Sequence, residues 1–182
     1  MDVHSGKRIR LAGQSLGDCV IHDSIVDGEG LRTTVFTQGC TRGCAGCQNP
    51  QTHAVDGGRE YDIEEVARGV TRHEQAGITL SGGEPMLQAE ACTALARYVH
   101  EELGQSVWCY TGYTYEELRE RGTGWQRELL RNVDVLVDGP YIASQRDLSL
   151  QFRGSGNQRI LRLVDGEVVS IDAGVVSDSF DN

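Results

Sequence analysis

No long apolar run interrupts this chain. Nothing in its 182 residues approaches the roughly 20 consecutive apolar residues of a membrane-spanning helix, and no apolar stretch follows the polar segment 1–11 as a secretory leader requires. A membrane association is not expected, and the expected location is the cytoplasm. An excess of basic charge is also missing. With 17 Lys and Arg against 27 Asp and Glu, the formal net charge is -10, which leaves no general basic face for a phosphate backbone and excludes nucleic acid as an expected partner. Internal repeats and linkers rich in proline or serine are absent as well, so the length implies one domain over 1–182, with a core over about 20–172 and a frayed tail over 173–182. Hydrophobic residues at 38 % and charged residues at 24 % exclude a collagenous or low-complexity chain.

What is present alternates between strand and helix patterns. Thr33 to Thr37 is β-branched and aromatic and runs into Gly39 and a cluster of cysteines. Asp62, with Glu65 three residues on, opens a helix whose Ile63, Val66, Ala67 and Val70 share one face. Strands are expected at 78–80, 107–110 and 133–137, with late candidates at 160–164 and 168–171. Helices are expected at 89–103, after the capping box Thr114-x-x-Glu117, and at 125–131. Strands separated by crossover helices imply a parallel sheet, whose sites gather at the carboxyl ends of its strands. The expected fold is α/β, an incomplete (β/α) barrel of about five to six parallel strands with outer helices, because a full eight-unit barrel takes about 250 residues.

Three of the six cysteines fall in Gln38-Gly-Cys-Thr-Arg-Gly-Cys-Ala-Gly-Cys47, a C-x3-C-x2-C spacing with Gly39, Gly43 and Gly46 letting the backbone turn tightly. Crowding of this kind favours a metal over disulfides. A cubane iron-sulfur cluster on Cys40, Cys44 and Cys47 would have one iron without a protein ligand, the open position needed to bind a substrate as well as carry electrons. Two other readings stay open at this point: a Cys3His zinc site with His53 as fourth ligand, and three unpaired structural cysteines. Cys92 on an apolar helical stripe and Cys109 in a strand read as small core residues.

The cysteine loop resembles the signature of radical S-adenosylmethionine enzymes, and Ser81-Gly-Gly-Glu-Pro85 resembles their second signature. Ile25-Val-Asp-Gly-Glu-Gly-Leu-Arg32 is similar to the D-G-P-G-x-R element of glycyl radical activases, with Glu29 in place of the proline. Trp108-Cys-Tyr-Thr-Gly-Tyr113, Val135-Leu-Val-Asp-Gly139 and Arg153-Gly-Ser-Gly-Asn-Gln158 resemble, in order, the pattern of the activating proteins of anaerobic ribonucleoside-triphosphate reductase. Pyruvate formate-lyase activases share the front half but carry an Asp-x-Lys pair where this chain has Asp138 and Pro140.

The resemblance implies a radical-SAM fold, a 4Fe-4S cluster on the three cysteines and S-adenosyl-L-methionine as cofactor. In that reading Gly46, Cys47 and Gln48 lie against the cofactor, Gly82 and Gly83 receive its amino group, and Asp138 holds its ribose or orients its methionine moiety. Arg153, Asn157 and Arg159 contact partner or cofactor or else form a solvated basic turn, and Asp27 to Arg32 grips the partner's glycine loop. The implied partners are the reductase as protein substrate and a flavodoxin-like or ferredoxin-like electron donor. The alternatives are the activase of another glycyl radical enzyme, a radical-SAM enzyme of cofactor biosynthesis, and a non-enzymatic Cys3His zinc module.

Overall fold

The structure, a computed structural model, describes residues 6–71 and 74–172. The expected tail at 173–182 lies outside the described residues. One mixed sheet of nine strands organises the rest. Its centre is four parallel strands, β3 (Arg32–Thr37), β5 (Gly77–Gly82), β6 (Ser106–Tyr110) and β7 (Val135–Asp138), in that spatial order. Antiparallel strands flank them. On one side lie β1 (Arg8–Leu11), β2 (Val20–Ser24) and β4 (Arg59–Asp62); on the other lie β8 (Arg159–Val164) and β9 (Glu167–Asp172).

Helices decide which strands are parallel. A single turn, α1 (Leu16–Cys19), precedes β2; β3 reaches β5 through α2 (Ile63–Val70), β5 reaches β6 through α3 (Ala89–Tyr98), and β6 reaches β7 through α4 (Tyr115–Arg121) and α5 (Gly124–Arg131). A parallel neighbour needs such a crossover. Between β7 and β8 the chain forms only a short 3-10 turn at Ala143–Gln145, so β8 returns antiparallel. The late strands at 160–164 and 168–171 thus form a hairpin, and the parallel strands number four rather than five or six.

The other departures are local. Ile9 and Leu11 are 0 % exposed in the main core, which therefore begins before residue 20. The helix expected over 89–103 leaves α geometry after Tyr98 for a π turn at Val99–Leu103, stopped by left-handed Gly104. Thr114 and Glu117 do form their capping box ahead of α4. Asp62 makes no side-chain cap on α2; its carboxylate instead pairs with Arg8 (3.1 Å) across the β1/β4 pair.

The sheet is buried on both faces. Val35, Ile78, Leu80, Val107, Leu136 and Leu161 pack under the helices, with Cys92 and Cys109 among them as free, fully buried thiols. Burial raises the Cys92 thiol to about 12 and Cys109 well above its ordinary value. The opposite face carries Thr34, Thr79, Trp108, Val135, Val137 and Ile160. Two loops close over that face: residues 25–31 and 146–158, the second laying Phe152 edge-on to Trp108 at 5.4 Å.

Candidate functional site

The loop after β3 and the loop after β5 leave the sheet side by side, and backbone bonds staple them together. The Gly83 N–H donates to the Thr37 carbonyl and the Glu84 N–H to the Gly39 carbonyl, each at 2.8 Å. The approach is so close that a Cβ at Gly83 would sit 2.5 Å from the Gly39 oxygen, and one at Gly82 would sit 2.8 Å from the Thr37 backbone. Gly82 also has φ +90°, which only glycine adopts without strain. These glycines serve the packing of two strand ends before they serve any ligand. Glu84 ties in the next strand: it is 1 % exposed, and its carboxylate accepts from Met86 N–H (3.0 Å), Thr111 Oγ1 (2.8 Å) and Gly112 N–H (2.8 Å). Burial raises this carboxyl, and the hydrogen bonds oppose the shift.

Beside this junction opens a cavity of about 710 Å³, within the roughly 300–1,000 Å³ of small-molecule sites. Cys40, Cys44 and Cys47 all border it, as do Gln48, Gly82 and Gly83. Cys40 N–H donates to the His53 carbonyl (3.0 Å) and Cys47 N–H to the Cys44 carbonyl (3.2 Å), while Asn49 N–H donates to Cys47 Sγ (3.4 Å). Burial raises the Cys40 thiol, with backbone hydrogen bonds opposing the shift. Among the described residues no group of three or more His, Cys, Asp or Glu side chains is arranged to hold a single metal ion, while the three thiols border a common space. His53 borders the same cavity.

Not every expected residue comes here. Gly46 turns the cysteine loop with φ +72° beside Tyr141 and Ala143, and is not among the residues bordering the cavity. Asp138 is at the expected strand end but 0 % exposed. Its Oδ1 accepts from Arg159 Nε (3.0 Å) and its Oδ2 from Tyr115 N–H (2.8 Å), and Arg159 is held in turn by Glu116 (2.7 Å). These ionic bonds occupy both Asp138 and Arg159. Asn157 likewise serves its own loop, donating to the Pro140 carbonyl (2.8 Å).

Arg32 is not available to grip anything outside the chain. It is 1 % exposed, and its guanidinium donates to Thr79 Oγ1 (2.8 Å), Ser106 O (3.0 Å), Ser106 Oγ (3.1 Å), Ile78 O (2.5 Å) and Glu29 O (3.2 Å). Burial pushes it down to about 10. Asp27 accepts from Thr34 (2.8 Å), and a Cβ at Gly28 would strike Arg32 and Trp108 at 2.8 Å. Asp27, Gly28 and Arg32 thus seat the 25–31 loop on the sheet. Glu29 pins it to β8 through Arg162 (2.6 Å), leaving Ile25 and Val26 about 70 % exposed at the cavity. Sequence reasoning missed Glu84 and Arg42 as parts of the site. Both lie inside its two quoted motifs, so the motifs themselves held that signal.

Comparisons with known proteins give the chain a family. A family model described as a 4Fe-4S single cluster domain matches residues 26–161. An anaerobic ribonucleoside-triphosphate reductase-activating protein of Haemophilus influenzae is 37 % identical over 146 residues, covering 76 % of this chain and 92 % of the relative. This chain belongs to that family of activating proteins. The namesake from Vibrio cholerae is 39 % identical over the same share of this chain, and that of enterobacteria phage T4 is 32 % identical over 78 % of it. The matched residues take in the cysteine loop together with 26–31 and 146–158 of the two loops beside the cavity.

Proposed function

We propose that the chain is an iron-sulfur activase that cleaves S-adenosylmethionine and installs a glycyl radical in an anaerobic ribonucleoside-triphosphate reductase. The observation that carries this reading is the meeting of three thiols, Cys40, Cys44 and Cys47, with the Gly82-Gly83 strand end around one cavity. The donor set suits a cubane cluster: three thiolates leave one iron open, and a cluster of four irons spreads its ligands further apart than a single ion does. When bound, the cluster supplies one electron to the sulfonium of S-adenosylmethionine, giving methionine and a 5'-deoxyadenosyl radical that takes hydrogen from a glycine of the partner.

The chain's own part is to hold, orient and enclose. Gln48, Gly82 and Gly83 offer a wall on which an amino-acid moiety can lie beside the cysteine loop, positioning it for the reaction. Phe36, Tyr110 and Phe152 add apolar surface that keeps water from a reactive species. Ile25 and Val26, apolar and exposed at the cavity, are the natural contact for the entering glycine loop of the partner. The electron donor in this reading is a flavodoxin-like or ferredoxin-like protein. Among the described residues no helix is long and apolar enough to cross a membrane.

The test is anaerobic reconstitution with iron and sulfide, reduction with dithionite, addition of S-adenosylmethionine and assay of 5'-deoxyadenosine, with Cys44→Ala as control. Product that depends on Cys44 is expected. A colourless protein holding zinc and making no product would overturn the reading.

A further inference from the structure

The loop at 146–158 brings a cation to the cavity that no carboxylate pairs with among the described residues. Arg153 borders the same space as Cys40, Cys47, Gln48 and Gly83. Its Nη1 donates to the Gln158 carbonyl (2.9 Å), but its Nε is shielded from solvent and has no acceptor. Among the described residues no carboxylate lies within ion-pair distance of it. The other guanidinium bordering the cavity is already engaged: Arg42 lies over the Tyr113 ring at 4.6 Å and stands 4.0 Å from Glu117.

Arg153 is also held in place in advance. Gly154 N–H (2.9 Å) and Ser155 N–H (3.2 Å) donate to Gln158 Oε1, whose amide donates to the Gly139 carbonyl (3.2 Å). The residues following Arg153 are therefore tied to the end of β7. Water does not reach that Nε, and neither does a ligand in the cavity; what points to a ligand is a guanidinium that borders the cavity with no carboxylate partner among the described residues, since such a charge is best compensated by an anion that a ligand brings. The planar guanidinium fork matches a carboxylate. The surroundings favour a single negative charge over a phosphate, because Asp27 and Glu84 border the same cavity and would repel a dianion.

We propose that Arg153 recognises a carboxylate in this cavity, that of the methionyl group of S-adenosylmethionine. The assignment rests on the cofactor reading above, and the experiment separates the two. Equilibrium dialysis under anaerobic conditions compares S-adenosylmethionine with its decarboxylated analogue, using reconstituted wild-type protein and Arg153→Gln. Loss of a charge-assisted bond weakens S-adenosylmethionine about ten- to a hundredfold, leaves the analogue within about threefold, and collapses the preference between them. Arg153→Met, which keeps the apolar stem without its donors, is read in the same way should Arg153→Gln not fold. Equal weakening of both ligands, or an undiminished preference, refutes the role of Arg153 while the cofactor reading stands. A wild-type protein that binds neither ligand sinks the cofactor reading and this assignment with it.

Discussion

Gly83→Ala tests the idea that the site depends on how closely two strand ends approach. The new Cβ would lie 2.5 Å from the Gly39 carbonyl oxygen, against an ordinary contact of 3.4–4 Å. The two segments must therefore part by roughly 0.9 Å, which overpacking of a close-packed junction resists. That separation would stretch the Gly83-to-Thr37 and Glu84-to-Gly39 hydrogen bonds, both 2.8 Å, beyond bonding length. Two bonds at about 1 kcal/mol each, with residual strain, put the destabilisation at about 2–4 kcal/mol. For a protein of this size the melting temperature should fall by roughly 5–15 °C. Because Cys40 follows Gly39 directly, the same displacement moves a proposed cluster ligand, and iron bound after anaerobic reconstitution should fall with it. Thermal unfolding by circular dichroism and iron analysis read the two effects. A variant that melts within about 2 °C of wild type and takes up full iron refutes the reasoning.

Asp138→Asn should destabilise the fold by about 1.5–3 kcal/mol through its bonds to Arg159 and Tyr115, yet leave S-adenosylmethionine affinity unchanged in the folded fraction. Lost affinity at unchanged stability would return Asp138 to the cofactor. Glu29→Pro, which restores the residue of the D-G-P-G-x-R pattern, removes an exposed ion pair with Arg162 and should change stability by only about 0–1 kcal/mol with 5'-deoxyadenosine yield unaltered; a large loss of yield would give Glu29 a role in the reaction. Burial pushes the Asp134 carboxyl up, but hydrogen bonds from His100 and the Val107 N–H, with the charges of His100 and Arg32, hold it below 3.8 overall. Its contribution is thus present above that value and lost as pH falls below it. The stability deficit of Asp134→Asn in denaturant titrations should accordingly be full at about pH 6 and close as the acid limb is reached; a deficit that grows in acid would contradict the sign.

Local pattern was enough for much of this protein. The cysteine spacing, the apolar stripes of α2 and α3, the capping box before α4 and the β-branched run of β3 are read from neighbours a few residues apart, and each is where that reading expects it. β1, β2 and β4 escaped because Arg8-Ile-Arg-Leu11, Val20-Ile-His-Asp-Ser24 and Arg59-Glu-Tyr-Asp62 are short and broken by charged residues, whereas the equally short β7 is an apolar Val-Leu-Val run. The site divided in the same way. That three thiols and a glycine-rich strand end share a cavity follows from motifs at adjacent strand ends of a parallel sheet. Which polar side chains face that cavity depends on partners far away in sequence. Asp138 met Arg159, Arg32 met Ser106, and Arg153 met no carboxylate among the described residues. A charged side chain goes where its desolvation is best compensated, and that balance is struck only once the fold has brought distant groups together.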